Sequence, residues 1–260
     1  MNDILKSLYE RKSVRAYTDE DITNEQRAAI LKAAFSAPTA GNQQLYTIID
    51  VTDQNKKETL SRLCENQRDI AESKMCFVFL ADCRKYRLAY TYAGCKPRPT
   101  GIGDFMLASA DALLAAMNAV TAADSMGIGS CFIGHIGENA EKVRELLELP
   151  SLVIPVAMAI FGNPTEQQLQ RKKPARFDEA ALLRKNVYSD RTEAQMRDDF
   201  AARAERGGKS DFDYDAKLKA MHKKQFDCAY TRELTRSASV YFFDFEFDGL
   251  TQAASAEQRK

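Results

Sequence analysis

The chain has 260 residues, of which 45% are hydrophobic and 28% charged, with 37 basic and 37 acidic side chains. That length and mixture specify a globular protein with a sizeable core, built as one large domain or two small ones, and exclude a disordered chain. Zero formal net charge excludes a general nucleic-acid binder, whose affinity rests on surplus cations facing phosphates.

Residues 3–10 form a short amphipathic helix, with Ile4, Leu5 and Leu8 on one face. A second helix begins at Thr23, where Thr23 and Gln26 make a capping box, and presents Ile30, Leu31, Ala34 and Phe35. It stops at SAPTAGNQQ, because Pro38 disfavours helix at Ala37 and Gly41 is a turn residue. LYTIIDV and MCFVFLAD read as strands, with helices near 55–65 and 67–74 between them. KPRPTGIG is a loop leading into a long alanine-rich helix over 102–126. That helix is apolar nearly all round, which places it at the centre of a fold or of a dimer. GIGSCFIG is a glycine-punctuated strand, 138–148 a helix, and LVIPVAMAIFG a further strand. Residues 163–191 read as an extended excursion and 192–225 as charged helix around Gly207 and Gly208. SVYFFDFEF reads as a late strand, and the tail after Thr251 as frayed. The pattern is α+β, a central sheet with a large helical complement, and 1–260 is taken as a single domain with a helical extension over 192–245.

Several chemistries are absent from the sequence. The long helix carries Asp111 and Asn118, so it is expected in the core and not in a membrane. The N-terminus lacks the pattern of a signal peptide, which suggests a cytoplasmic protein with reduced thiols. Six cysteines form no C-x-x-C pair and the two histidines, His135 and His222, lie far apart, which argues against a metal site. GGKS at 207–210 would need glycine at 203 to be a P-loop, and 203 is Arg. GIGSCF and GIGDFM each lack the third glycine of a dinucleotide turn.

RKSVRAY at 11–17 gathers three cations around Ser13. A phosphate monoester is held best by guanidiniums, short hydroxyls and an ammonium converging on it. Arg11, Ser13 and Arg15 alternate, so in an extended segment they project to one side. Lys12 then points away, as a solvated charge. R-x-S-x-R is followed in order by SAPTAGNQQ, GIGSCFIGHI at 127–136 and KKPARF at 172–177. With these four motifs in this order the chain resembles the nitroreductase family, nearest its larger subfamily of NADPH-dependent nitroreductases and flavin reductases.

The resemblance implies a nitroreductase-like fold: a central mixed sheet wrapped by helices, with the long helix central to an intertwined homodimer. It implies FMN as cofactor and NADPH or NADH as reductant. Arg11 and Ser13 would hold the FMN phosphate, with Lys173 (or Lys172) and Arg176. The KPAR run there is one residue longer than the family's usual K-P-R. Arg15 would reach the pyrimidine edge near N1 and O2, where a cation offsets charge on the reduced ring. Gln67 would lie at the same edge. Thr39 and Asn42 would contribute from the partner subunit. Ile133, Gly134 and His135 would line the ring, with a backbone N–H near N5. His135 stands where close relatives often have glycine, so it either touches substrate or packs nearby.

The resulting expectation is an FMN-dependent NAD(P)H oxidoreductase that passes hydride through flavin N5 to nitroaromatics, quinones or free flavin by a ping-pong cycle. No side-chain acid or base is required. Partners are limited to a second copy and a small acceptor, with no nucleic acid and no membrane. Two alternatives remain: a same-fold flavoenzyme of dehalogenase or flavin-destructase type, and a non-enzymatic flavin-binding protein. Arg197, Arg203 and Arg206 are either contacts for a 2′-phosphate or a solvated helix face.

Overall fold

The computed structural model describes residues 2–209 and 211–257. Ser210, which ends the GGKS run, and the last three residues of the tail lie outside them. Two compact units are present: the chain through Arg171 together with the chain from Glu233, and residues Lys172–Arg232.

In the first unit, α1 (Asp3–Glu10) is capped by Asn2, whose side chain accepts the Leu5 N–H at 2.9 Å. α2 (Asn24–Phe35) opens on the expected capping box, with Gln26 N–H donating to Thr23 Oγ1 at 3.2 Å and Thr23 N–H to Gln26 Oε1 at 2.9 Å. Then follow β1 (Tyr46–Asp50), α3 (Gln54–Leu63), α4 (Arg68–Glu72), β2 (Met75–Asp82) and α5 (Lys85–Tyr92). α6 (Ile102–Ser125), β3 (Gly129–Ile133), α7 (Ala140–Leu146), β4 (Val153–Gly162) and α8 (Glu166–Gln170) complete this run. Residues 83–95, to which the sequence reading assigns no element, hold a helix, α5, and the loop expected at KPRPTGIG follows it before α6.

The sheet order is β1-β2-β4-β3, and all three ladders are antiparallel. The parallel component expected of a mixed sheet is confined to one bridge, Ser13 to Ser130, because segment 11–17 touches β3 at a single register and then crosses to the chain beyond β4. β2 lies between two strands and is buried on both faces. Its side chains alternate: Phe77 and Phe79 face α2 and α6, while Cys76, Val78 and Leu80 face the layer of α3, α4 and α7.

α6 is long and apolar enough to cross a membrane by length and composition. Its alanines explain the other reading. Ala108, Ala112, Ala115, Ala116, Ala119 and Ala123 are fully buried, so the helix lies close against the sheet as a core element. Asp111 on that face is 2% exposed and accepts N–H bonds from Ala40 at 2.9 Å and Leu45 at 3.0 Å. The opposite face leaves Met106, Leu107, Leu113 and Leu114 exposed.

The second unit holds α9 (Glu179–Leu182), α10 (Glu193–Arg206), α11 (Tyr214–Met221) and a π-helical turn, His222–Phe226. Its interior is a ring cluster in which Phe200 meets Phe177 and Tyr214 edge-on.

The expected late strand is a helix. α12 (Ala229–Glu257) runs through SVYFFDFEF and on past Thr251, where fraying was expected. Tertiary packing overrides the strand propensity of its aromatics. Ser237, Tyr241 and Phe245 recur every fourth residue and are all buried, a helical and not a strand period. Ala140 N–H donates to Ser237 Oγ at 3.0 Å, and Arg144 pairs with Asp244 at 2.6 Å.

Candidate functional site

The site begins where α1 ends. The Arg11 N–H closes the helix on Ser7 O at 2.8 Å, and the chain then becomes extended. Val14 N–H bonds Ser130 O at 2.9 Å, Thr165 N–H bonds Ala16 O at 3.2 Å and Thr18 N–H bonds Asn163 O at 2.8 Å. The segment thus straps β3 to the chain leaving β4. Two glycines admit it. A Cβ on Gly129 would sit 2.7 Å from Val14 Cγ1, and one on Gly162 2.6 Å from the Tyr17 ring.

Lys12 does not end in solvent, as the alternation suggested. Its Nζ donates to Leu169 O at 2.6 Å and Arg171 O at 2.5 Å. Arg171 returns the contact, Nη2 donating to Ser13 O at 2.6 Å. Unpaired carbonyls at the end of α8 attract the ammonium.

On the other side of the strap, Ser13 hydrogen-bonds the Cys131 thiol, and Arg15 and Arg11 both act on that group. Burial pushes the thiol upward and the two guanidiniums oppose the shift. Asp69 on α4 is 8% exposed, and burial raises its carboxyl while Arg15 opposes the rise. Burial likewise raises the Tyr17 phenol, with Cys131 and Asp69 adding to it. Arg11, Ser13, Arg15, Cys131 and Asp69 therefore form one neighbourhood. Two donors of this wall are buried and have no acceptor: Arg11 Nη1 and Gln67 Nε2. Gln67 caps α4, and its carbonyl accepts from Ser61 Oγ at 2.8 Å.

Ile133 ends β3, 2% exposed, and leads into a 3₁₀ turn, Gly134–Gly137. His135 Nε2 lies 3.2 Å from Glu65 Oε2. Next comes Glu138, 5% exposed, with Oε1 unpartnered. Burial, then Glu65 and Glu233, push its carboxyl up to about 7.

Thr39 and Asn42 lie on a separate loop in which Gly41 and Asn42 are left-handed, at φ 55° and 57°. Their side-chain bonds go to Gln44. No hydrogen bond or ion pair among the described residues joins them to the Arg11 segment. Lys173 and Arg176 belong to the second unit, where the Arg176 carbonyl accepts from Arg206 Nη2 at 3.1 Å. In that unit Arg197 is paired with Glu193 and Asp215, and Arg206 with Asp178. Arg203 stacks on Phe177, its guanidinium carbon 4.0 Å from the ring centre. Arg197 and Arg206 thus lie on a solvent-exposed face, each held by carboxylates of its own unit.

Sequence reasoning missed Asp69, Cys131, Glu65 and Arg171. Asp69 stands two residues beyond Gln67, and Cys131 inside the GSCFIG strand, so both lay beside named residues. Arg171 likewise directly precedes Lys172 and the KKPARF run.

Residues 8–163 match the model described as "Nitroreductase family". The FMN reductase (NADPH) of Bacillus subtilis strain 168 is 34% identical over 195 residues, covering 74% of this chain and 77% of that protein. The oxygen-insensitive NADPH nitroreductase of Salmonella typhimurium is 33% identical over 190 residues, covering 72% of this chain and 75% of that one. Among solved structures, the NfrA1 nitroreductase from B. subtilis superposes with a TM-score of 0.76 at 29% identity, covering 94% of this chain and 98% of its own. The match spans the strap, the sheet and the long helix alike, and on that basis the chain belongs to the nitroreductase family.

Proposed function

We propose that this protein is an FMN-dependent NAD(P)H oxidoreductase that reduces a nitroaromatic, a quinone or free flavin in a ping-pong cycle. Its relatives are named for NADPH-dependent reduction of FMN and of nitro compounds. The observation that carries the reading is the pair of buried donors without acceptors, Arg11 Nη1 and Gln67 Nε2. Buried donors are almost always satisfied, and one left open is costly unless a ligand completes it. A molecule with a phosphate at one end and ring carbonyls at the other supplies both acceptors, so the residues present fit FMN.

The chemistry FMN supplies when bound is hydride exchange at N5. The chain's own residues bind and orient. Arg11 and Ser13 take the phosphate, and Arg15 with Gln67 takes the pyrimidine edge. Ile133, Gly134 and His135 form the wall beside the ring, where glycine allows close backbone approach. Thr39 and Asn42 complete the site of the partner in a homodimer. The exposed apolar stripe of α6, Met106, Leu107, Leu113 and Leu114, supports that assembly. Six free cysteines support a reducing, cytoplasmic setting.

The test is the visible spectrum of the purified protein, followed by anaerobic NADPH. A flavin spectrum that bleaches, and parallel double-reciprocal plots against a quinone, are expected. Colourless protein that gains no flavin from added FMN overturns the reading.

A further inference from the structure

The wall around Arg15 is rich in donors, with two guanidiniums and the Gln67 amide nitrogen. It also holds a carboxylate. Asp69 is buried, takes the backbone N–H groups of Asp69 and Ile70, and still has Oδ2 without a donor. A buried carboxylate oxygen in that condition is as conspicuous as an unpaired guanidinium nitrogen.

The arrangement on the chain gives it meaning. Gln67 is the N-cap of α4 and Asp69 lies two residues further on, in its first turn. One short element therefore offers an unpaired donor, Nε2, and an unpaired acceptor, Oδ2. A donor and an acceptor of that kind match an imide, O=C–N–H, which needs a donor for the oxygen and an acceptor for the nitrogen. The carboxylate lies within electrostatic range of Arg15 and Tyr17, so it faces the same neighbourhood as the strap.

We propose that Asp69 accepts the N3–H of the flavin pyrimidine, beside Gln67, so that the site selects for a free imide. This rests on the FMN reading above and adds to it a residue that nothing else assigns. The raised carboxyl agrees with a group waiting for a donor. Burial raises the carboxyl, and the backbone N–H of Asp69, then Arg15, oppose the rise.

The experiment compares binding of FMN and 3-methyl-FMN to the apoprotein by fluorescence quenching. In 3-methyl-FMN the N3 hydrogen is replaced and no bond to Asp69 forms. A hydrogen bond to a charged group corresponds to a roughly tenfold to hundredfold preference of the unaltered protein for FMN. Asp69→Ala should lose most of that preference, chiefly by weaker FMN binding. Asp69→Asn keeps the size and an uncharged acceptor, and should fall between the two; it also serves if the alanine variant does not fold. Gln67→Ala should weaken both ligands equally and leave the ratio intact. Asp69 variants that lower both affinities in parallel would mean a structural role and overturn the inference while FMN binding stands. If neither ligand binds the unaltered protein, the FMN reading itself falls, and the inference with it.

Discussion

Arg11 and Lys12 are adjacent cations with opposite duties, and alanine at each should separate them. Arg11 Nη1 is buried with no partner in the protein, so its hydrogen bond is reserved for a ligand. A bond of that kind to a charged acceptor contributes about 1.5–3 kcal/mol, so Arg11→Ala should weaken FMN binding roughly tenfold to hundredfold. The apoprotein should melt no lower, since the substitution removes an unsatisfied buried group. Lys12 makes two bonds to the carbonyls of Leu169 and Arg171, both on exposed backbone. Discounted for solvent, their loss costs about 1 kcal/mol of stability, and it acts on the loop after β4. Lys12→Ala should therefore lower the melting temperature by a few degrees and change FMN affinity by less than about threefold. Fluorescence titration of both apoproteins, with thermal melts of each, makes the comparison. Equal losses of FMN affinity, or an Arg11→Ala protein that binds within twofold of the unaltered one, would refute the assignment of opposite faces.

The Glu138 carboxyl, held at about 7 when folded against 4.5 for an ordinary glutamate, binds its proton more tightly in the folded state. Stability should therefore decline as pH rises from about 4.5 through 7, by on the order of 1–3 kcal/mol. Melts from pH 5 to 8 should show Glu138→Gln flatter than the parent and more stable at the alkaline end; parallel curves would count against it. Gly129→Ala forces a Cβ into Val14 and should cost about 1–3 kcal/mol, with Val14→Ala restoring part of it in a double-mutant cycle. If α6 pairs with its copy, Leu113→Glu with Leu114→Glu should give a folded monomer by sedimentation that binds no FMN. A dimer unchanged by both charges would put the interface elsewhere.

Much of the architecture was legible because local chemistry and tertiary demand agree. MCFVFLAD, rich in Phe and Val, reads as a strand, and the structure gives Met75–Asp82. Thr23 with Gln26 fixes the start of α2 because both partners of the capping box lie within one turn. α5 was missed because Tyr86, Tyr90 and Tyr92 are weak helix formers among charges, and the flanking Pro97 and Pro99 drew attention to a loop. SVYFFDFEF misled because Val, Tyr and Phe favour strands, while the deciding contacts come from α7, some 90 to 100 residues upstream. The site divides the same way. Alternation in R-x-S-x-R marks out Arg11, Ser13 and Arg15. The bonds of Lys12 run to carbonyls 157 and 159 residues away, and no pattern in RKSVRAY encodes them. Nor does any pattern mark Asp69 as a carboxylate with one oxygen left without a donor, which is a property of its surroundings.

The helical state of SVYFFDFEF is borrowed from the surface beneath it. Tyr241 is buried against α7, and Phe245 and Phe242 meet Phe105 of α6, the latter with ring centres 5.0 Å apart. Detached from that surface, the same nine residues have strand propensity, five aromatics and no proline, the composition of a segment that pairs with copies of itself. Asp244 and Glu246 interrupt it with negative charge, as gatekeeping residues do in sequences that cannot avoid such a stretch. Asp244 serves twice, repelling like segments before docking and bonding Arg144 after it. Shelf life in solution should accordingly follow how often the last helix lifts from α7, and a neutral residue at 244 should shorten it on both counts.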